Sequence, residues 1–352
     1  MLRSGQKKSE SRRKLFAGYR IASGMHTLTK SEDAVMEPAP AVRRTENLRG
    51  APPTSAVVPG ASSSPSANKA RRGSARTGST AALRAHWPEY LMEAAGLGLF
   101  MFSACAFGAL LLLPASPVVK AIATPTIRRV MFGFAMAGTL IAIIYSPIGA
   151  QSGAHLNPSV TLTFFRLKKI RGWDAVFYIA SQFLGGLAGV LIAVLIFGDW
   201  IRHPAVHYVV TVPGPDGPWP AFMAEFVMAV ITMTVVLRSS NHPVWSRYTG
   251  LLAGALVAAY ISFEAPISGF SLNPARTTAS AAPAMLWTAA WIYFTAPPLG
   301  MLVAAEAYLV GKGHDNVFCA KLHHHNNKRC IFNCRFGEMQ AQGPQAKSAI
   351  TN

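Results

Sequence analysis

Apolar residues follow one another almost without a break from Trp87 to about Val310, and polar residues dominate on either side. A helix needs about 20 apolar residues to cross the hydrocarbon of a bilayer. Six stretches meet or approach that length: 87–114, 129–147, 173–198, 219–237, 248–265 and 286–310. Tryptophan and proline gather at their ends (Trp87-Pro88, Trp173, Trp219-Pro220), as suits interfacial anchors and first-turn prolines. The pattern predicts an all-α integral membrane core of six transmembrane helices over about 87–311, between two polar tails. Residues 1–86 are basic, lack a sustained apolar period and are expected to be largely disordered, with neither a secretory signal nor a span. Residues 312–352 read as a polar, solvated tail. Arg84, Arg166, Lys168, Lys169, Arg171, Arg238, Arg247 and Lys312 fall on one side of the core, against Lys120, Arg128, Arg129 and Arg202 on the other. That bias places both termini in the cytoplasm, with the Arg128-Arg129 pair as a mild dissent.

The core contains two copies of one pattern. Trp87-Pro88 with Glu93 recurs 132 residues on as Trp219-Pro220 with Glu225, and Ser152–Pro158 recurs 116 residues on as Ser268–Pro274. Each repeat, about 87–198 and 219–310, holds three spans. The second therefore enters the membrane from the opposite side, which makes an inverted 3+3 repeat and points to a transport site between the halves. Asn157-Pro158-Ser159 and Asn273-Pro274-Ala275 each open a run too short to span. Asparagine is a strong N-cap and proline is favoured at the first helical position, so two re-entrant half-helices are expected, meeting cap to cap. Each helix N-terminus carries roughly half a positive charge, and Arg276 adds a whole one. Such a midpoint disfavours cations and protons while the asparagine amides donate to a neutral, hydrogen-bonding solute. Glu93 and Glu225, costly within a span, are expected to face inward and accept hydrogen bonds from the re-entrant loops. Gly185, Gly186 and Gly189 suggest close helix packing.

Composition agrees: only 14% of the 352 residues are charged, against about a quarter in soluble domains. The net charge of +18 resides mainly in tails and loops, without the aromatic-plus-basic modules of nucleic-acid binders, so anionic membrane lipids are the expected partner and nucleic acid is not. Cys105 lies in an apolar run. Cys319, His323–His325, Cys330 and Cys334 fit no standard zinc spacing, and no metal is expected of them. No nucleophile–base pair is found, so neither enzyme activity nor a cofactor is expected. A secondary transporter would need a coupling-ion site, and Glu93 and Glu225 are the only core carboxylates counted, each already assigned to a loop.

With these residues in view, 152–162 (Ser-Gly-Ala-His-Leu-Asn-Pro-Ser-Val-Thr-Leu) and 268–276 (Ser-Gly-Phe-Ser-Leu-Asn-Pro-Ala-Arg) resemble the two signature segments of the aquaporin, or major intrinsic protein, family. The resemblance implies a homotetramer with one pore per subunit in the plasma membrane, and Gln182 matches a position that the family commonly fills with Gln. Ser159 departs from the usual alanine. By resemblance the selectivity filter combines Arg276, Phe270, Ile261 and a second-span residue. An ungapped count gives Ala137 for the last of these, and a three-residue gap gives Phe134. Phe270 without a histidine at Ile261 resembles glycerol facilitators. Thr277, Ala281 and Tyr293-Phe294 resemble water channels, to which the chain looks closer. Water is the expected solute, with glycerol or another small neutral solute as the alternative.

Overall fold

Apolar runs in lipid can satisfy their backbone polar groups only within helices or closed barrels. The computed structural model of the chain describes residues 78–341 and is helical along every such run. Apart from short connecting turns, the helices in chain order are α1 (Ser79–Leu112), α2 (Pro125–Tyr145), the short α3 (Pro158–Arg166), α4 (Gly172–Phe197), α5 (Pro218–Ser240), α6 (Trp245–Ser268), the short α7 (Pro274–Ala284) and α8 (Trp291–Lys312). The described residues contain no strand. All but α3 and α7 are long and apolar enough to cross a membrane. With 9 and 11 residues, α3 and α7 reach about 14 and 17 Å, roughly half the hydrocarbon core.

Several boundaries differ from the hydropathy reading. Helix α1 starts at Ser79, so Pro88 lies inside it and not in its first turn. The extra turns are tethered from outside: His86 Nδ1 lies 2.7 Å from Asp174 Oδ1, and Arg329 Nη2 donates to Ala85 O at 3.0 Å. Helix α8 starts only at Trp291, because Met285 (φ 50°) and Ala289 (φ 51°) turn the chain out of a helical path. Helix α6 begins as a 3₁₀ turn at Trp245–Tyr248 and passes through a π turn at Tyr260–Glu264. The expected disorder of residues 1–86 does not hold for Ser79–His86, which belong to α1, and the rest of that extension, residues 1–77, lies outside the described part.

The helices pack as the repeat requires: α1 lies along α4, α5 along α8, and α2 crosses to α6 of the other half. The half-helices exchange partners, α3 resting against α8 and α7 against α4. At Gly185 and Gly189 the backbones of α4 and α1 touch, since a Cβ on either would collide with Ala94 O or Gly98 O. In lipid, where apolar side chains gain little from leaving the solvent, such backbone contact is a main source of helix cohesion. Large apolar side chains such as Leu195 (85% exposed) and Phe263 (78%) cover the outside, as a lipid-facing surface demands.

The C-terminal segment is not a solvated strand of tail. From Val317 to Phe332 it folds back on the bundle, burying Val317, Phe318, Leu322, Ile331 and Phe332. Phe318 N donates to Asn241 Oδ1 (2.7 Å) and Asn333 N to Lys169 O (2.9 Å), while Arg329 pairs with the buried Glu89. The apolar residues are scattered among polar ones without a period, so hydropathy alone did not reveal the docking.

Candidate pore

The two Asn-Pro segments arrive by the same local path. A short helical turn, Pro147–Ser152, ends on Gly153 (φ 94°), and its counterpart Ala265–Ser268 ends on Gly269 (φ 80°). Both glycines supply the left-handed conformation that lets the chain leave the helix abruptly. Ala154 and Leu156 (φ 54° and 51°) and Phe270 and Leu272 (φ 52° and 53°) are left-handed as well. For side-chain-bearing residues such conformations cost of order 1–3 kcal/mol each and persist only where the surroundings impose them.

The buried glutamates impose them. Glu93 accepts from Ser152 Oγ (2.8 Å), His155 N (3.0 Å), Leu156 N (2.7 Å) and Gln182 Nε2 (3.0 Å). Glu225 accepts from Ser268 Oγ (2.9 Å), Ser271 N (2.7 Å) and Leu272 N (2.6 Å). Tyr178 and Tyr293 complete the scaffold, each hydroxyl donating at 2.6 Å to the carbonyl of Ser152 or Ser268. The Tyr178 role was not read from sequence, although its spacing to Ser152 nearly repeats that of Tyr293 to Ser268. The count of two buried core carboxylates was also too low. Glu89 and Asp174 are buried, and both Glu264 oxygens are covered without a hydrogen-bond partner among the described residues.

Held this way, the caps face each other. Asn157 Oδ1 accepts from Ser159 N (2.8 Å), and Asn273 Oδ1 from Ala275 N (3.0 Å) and Arg276 N (3.2 Å). Pro158 and Pro274 occupy the first helical positions. Serine at 159 leaves the first cap intact. Each amide nitrogen donates across to the other loop, Asn157 Nδ2 to Leu272 O at 2.7 Å and Asn273 Nδ2 to Leu156 O at 2.8 Å. An amide nitrogen carries two hydrogens, so each asparagine keeps one for a solute.

A cavity of about 120 Å³ passes both asparagines, with room for several waters. Its wall is largely apolar, including Leu97, Leu140, Val160 and Val257, and polar groups enter at Asn157, Asn273, Arg276, His155, Thr232 and Ser271. Arg276 and Phe270 line it as expected by resemblance. Phe134 does not: its side chain is 67% exposed on the outer face of α2. It lies six residues before the cavity-lining Leu140, which is about 240° round the helix. Ala137 is buried outside the lining. Ile261 is also buried outside it, and Tyr260 takes the wall position. Tyr260 continues the helix face of Leu256 and Val257, four and three residues before it, and Ile261 sits about 100° further round.

His155 serves as packing at the rim. Its ring lies between Phe164 (5.1 Å, 20°) and Phe332 (5.2 Å, 16°), and its nitrogens lie 3.0 Å from Thr161 Oγ1 and from Ala320 O. Two of those contacts come from the C-terminal segment, which also inserts Leu322 into the cavity wall, its N–H donating to Gly153 O at 3.1 Å.

The comparisons with known proteins agree with this geometry. The chain is 38% identical over 191 residues to Aquaporin NIP2-2 of Zea mays, covering 51% of this chain and 60% of that one. It is 33% identical over 179 residues to Aquaporin NIP6-1 of Arabidopsis thaliana, covering 51% and 57%. The chain thus spans less than two thirds of the length of these relatives. In fold it resembles the aquaglyceroporin from Plasmodium falciparum at a TM-score of 0.52 and 20% identity, over 63% of this chain and 95% of that one. The family profile described as Major intrinsic protein matches residues 80–308, from the second residue of α1 nearly to the end of α8. With opposed Asn-Pro caps inside that match, the chain belongs to the major intrinsic protein family.

Proposed function

We propose that this protein is a passive transmembrane channel that conducts water and excludes protons and ions. The observation that carries the reading is the pair of facing caps, Asn157 and Asn273. Each is cross-bonded to the opposite loop and keeps one amide hydrogen toward a cavity only a few waters in volume. Two helix N-termini and Arg276 give that cavity a positive midpoint, which opposes hydronium and other cations. A water arriving there accepts from the asparagines, and the apolar wall offers few other partners with which to relay a proton. Both termini lie in the cytoplasm in this reading, in line with the bias of basic residues, and the protein works as a homotetramer in the plasma membrane.

The alternative is a channel for glycerol or another small neutral solute, and the apolar wall with Phe270 and Tyr260 at it favours that second reading. Stopped-flow light scattering on proteoliposomes decides between them. Fast shrinkage in a sucrose gradient with slow re-swelling in glycerol is expected. Rapid glycerol entry with little gain in water flux overturns the assignment of water.

A further inference from the structure

We infer that Cys319, His324, Cys330 and Cys334 form a binding site for a thiophilic divalent metal ion of the zinc class, and that the ion locks the C-terminal segment over the cavity mouth at Gly153 and His155. The four donor atoms lie within 4.8 Å of one another although the residues span Cys319-x₄-His324-x₅-Cys330-x₃-Cys334. Tetrahedral zinc holds sulfur at about 2.3 Å, which sets neighbouring sulfurs about 3.7 Å apart. Cys319 Sγ and Cys330 Sγ are 3.6 Å apart, and His324 Nε2 lies 3.1 Å from Cys334 Sγ. Three sulfurs and one imidazole select zinc over harder cations such as Mg²⁺ or Ca²⁺.

The surroundings fit an occupied site. Phe336 packs flat on the His324 ring (4.2 Å, 12°) and donates its backbone N–H to Cys334 Sγ at 3.5 Å, fixing one ligand's orientation and supporting negative charge on another. Three thiolates and one Zn²⁺ leave a net charge of −1, which Lys169 and Lys321, both within electrostatic reach of the cysteines, offset. Lys321 Nζ donates to the carbonyls of Lys328 and Arg329, closing the same fold from within. Cys319 is buried and Cys334 exposed, so the cluster has a closed side and an entry side.

The ligands also bracket the residues that touch the mouth. Between Cys319 and His324 lie Ala320, whose carbonyl meets His155, and Leu322, which lines the cavity. Between Cys330 and Cys334 lies Phe332, stacked on His155. An ion shared by all four ligands closes both loops at once and presents both sets of contacts together. The sequence reading expected no metal, because the spacing matches no familiar zinc pattern. Folding, and not spacing, brings the donors together.

This inference rests on the proposed channel only in that the covered mouth is then a pore mouth. The test therefore needs no solute flux. Full-length protein, produced with zinc present and purified in detergent with a mild reductant, is expected to hold about one zinc per chain. Cys330→Ser/Cys334→Ser protein loses it, whereas Cys105→Ser protein keeps it. Cobalt-loaded wild type, which needs no variant to fold, shows thiolate-to-Co²⁺ charge-transfer absorption. Stripping the metal is expected to speed tryptic cleavage around Lys328 and Arg329 about tenfold in the wild type and to leave the double variant unchanged. Clearly less than one zinc per chain, equal zinc in the double variant, or a Cys319–Cys330 disulfide in the purified protein overturns the site. Cleavage that ignores metal removal overturns the lock.

Discussion

Glu93 and Glu225 carry more of the site than their number suggests. Each carboxylate accepts two consecutive backbone N–H groups and a serine hydroxyl, and these bonds hold left-handed residues that would not otherwise stay in place. Glutamine is nearly isosteric but presents an NH₂ where an acceptor is needed. In Glu225→Gln protein either Leu272 N or the Ser268–Ser271 pair then faces a donor. A buried donor left unmatched costs about 1–3 kcal/mol. Lower yield and a lower melting temperature in detergent are expected, read by size-exclusion chromatography after heating. A normally stable Glu225→Gln protein without permeation would assign the carboxylate to conduction instead. Tyr293→Phe removes a single bond, to Ser268 O, and is expected to shift stability in the same assay by the smaller amount of about 1 kcal/mol. The glutamates and asparagines were legible from the paired motifs. The tyrosines needed the fold, because a lone buried tyrosine in an apolar run has no local signature.

At the scale of the helix, the contact between α1 and α4 depends on having no side chain at two positions. A Cβ at Gly185 or Gly189 would strike carbonyl oxygens of α1, which are backbone and cannot rotate aside. Gly185→Ala is expected to cost about 1–3 kcal/mol by overpacking and to lower the thermal midpoint of the purified protein. Gly138→Ala, where a Cβ meets nothing within 4 Å, is the matched control and is expected to be neutral or mildly stabilising. Equal effects at both positions would show that the backbone contact at Gly185 does not set the cost. Helix α6 holds a different lesson. The family's spacing points to Ile261, whereas the wall residue is Tyr260, on the face of Leu256 and Val257 and at the first position of the π turn Tyr260–Glu264. No hydropathy pattern signals that turn, since a π turn is set by tertiary strain and not by side-chain polarity.

For the molecule as a whole, the C-terminal segment joins the pore to what had read as a solvated tail. Leu322 is part of the cavity wall, anchored through its own N–H to Gly153 O beside the first cap. Leu322→Ala is expected to widen that end and raise the osmotic permeability of proteoliposomes severalfold at equal protein density. Unchanged permeability would place the narrowest point elsewhere, beside Arg276 and Phe270.

Sequence alone determined the six spans, the inverted repeat and the two half-helices. Each rests on local chemistry: twenty apolar residues in lipid must be helical, and asparagine followed by proline favours the start of a helix. It also identified the two loop-supporting glutamates, since a carboxylate inside a span requires a partner. Tertiary structure alone decided which side chains form the wall, as the exposed Phe134 and the displaced Ile261 demonstrate. It alone folded Cys319, His324, Cys330 and Cys334 into one cluster. Whether a side chain faces a pore depends on helix rotation, and whether distant donors meet depends on a folded loop. Both are settled by contacts between elements far apart in the chain, and a pattern of neighbours along it carries no record of them.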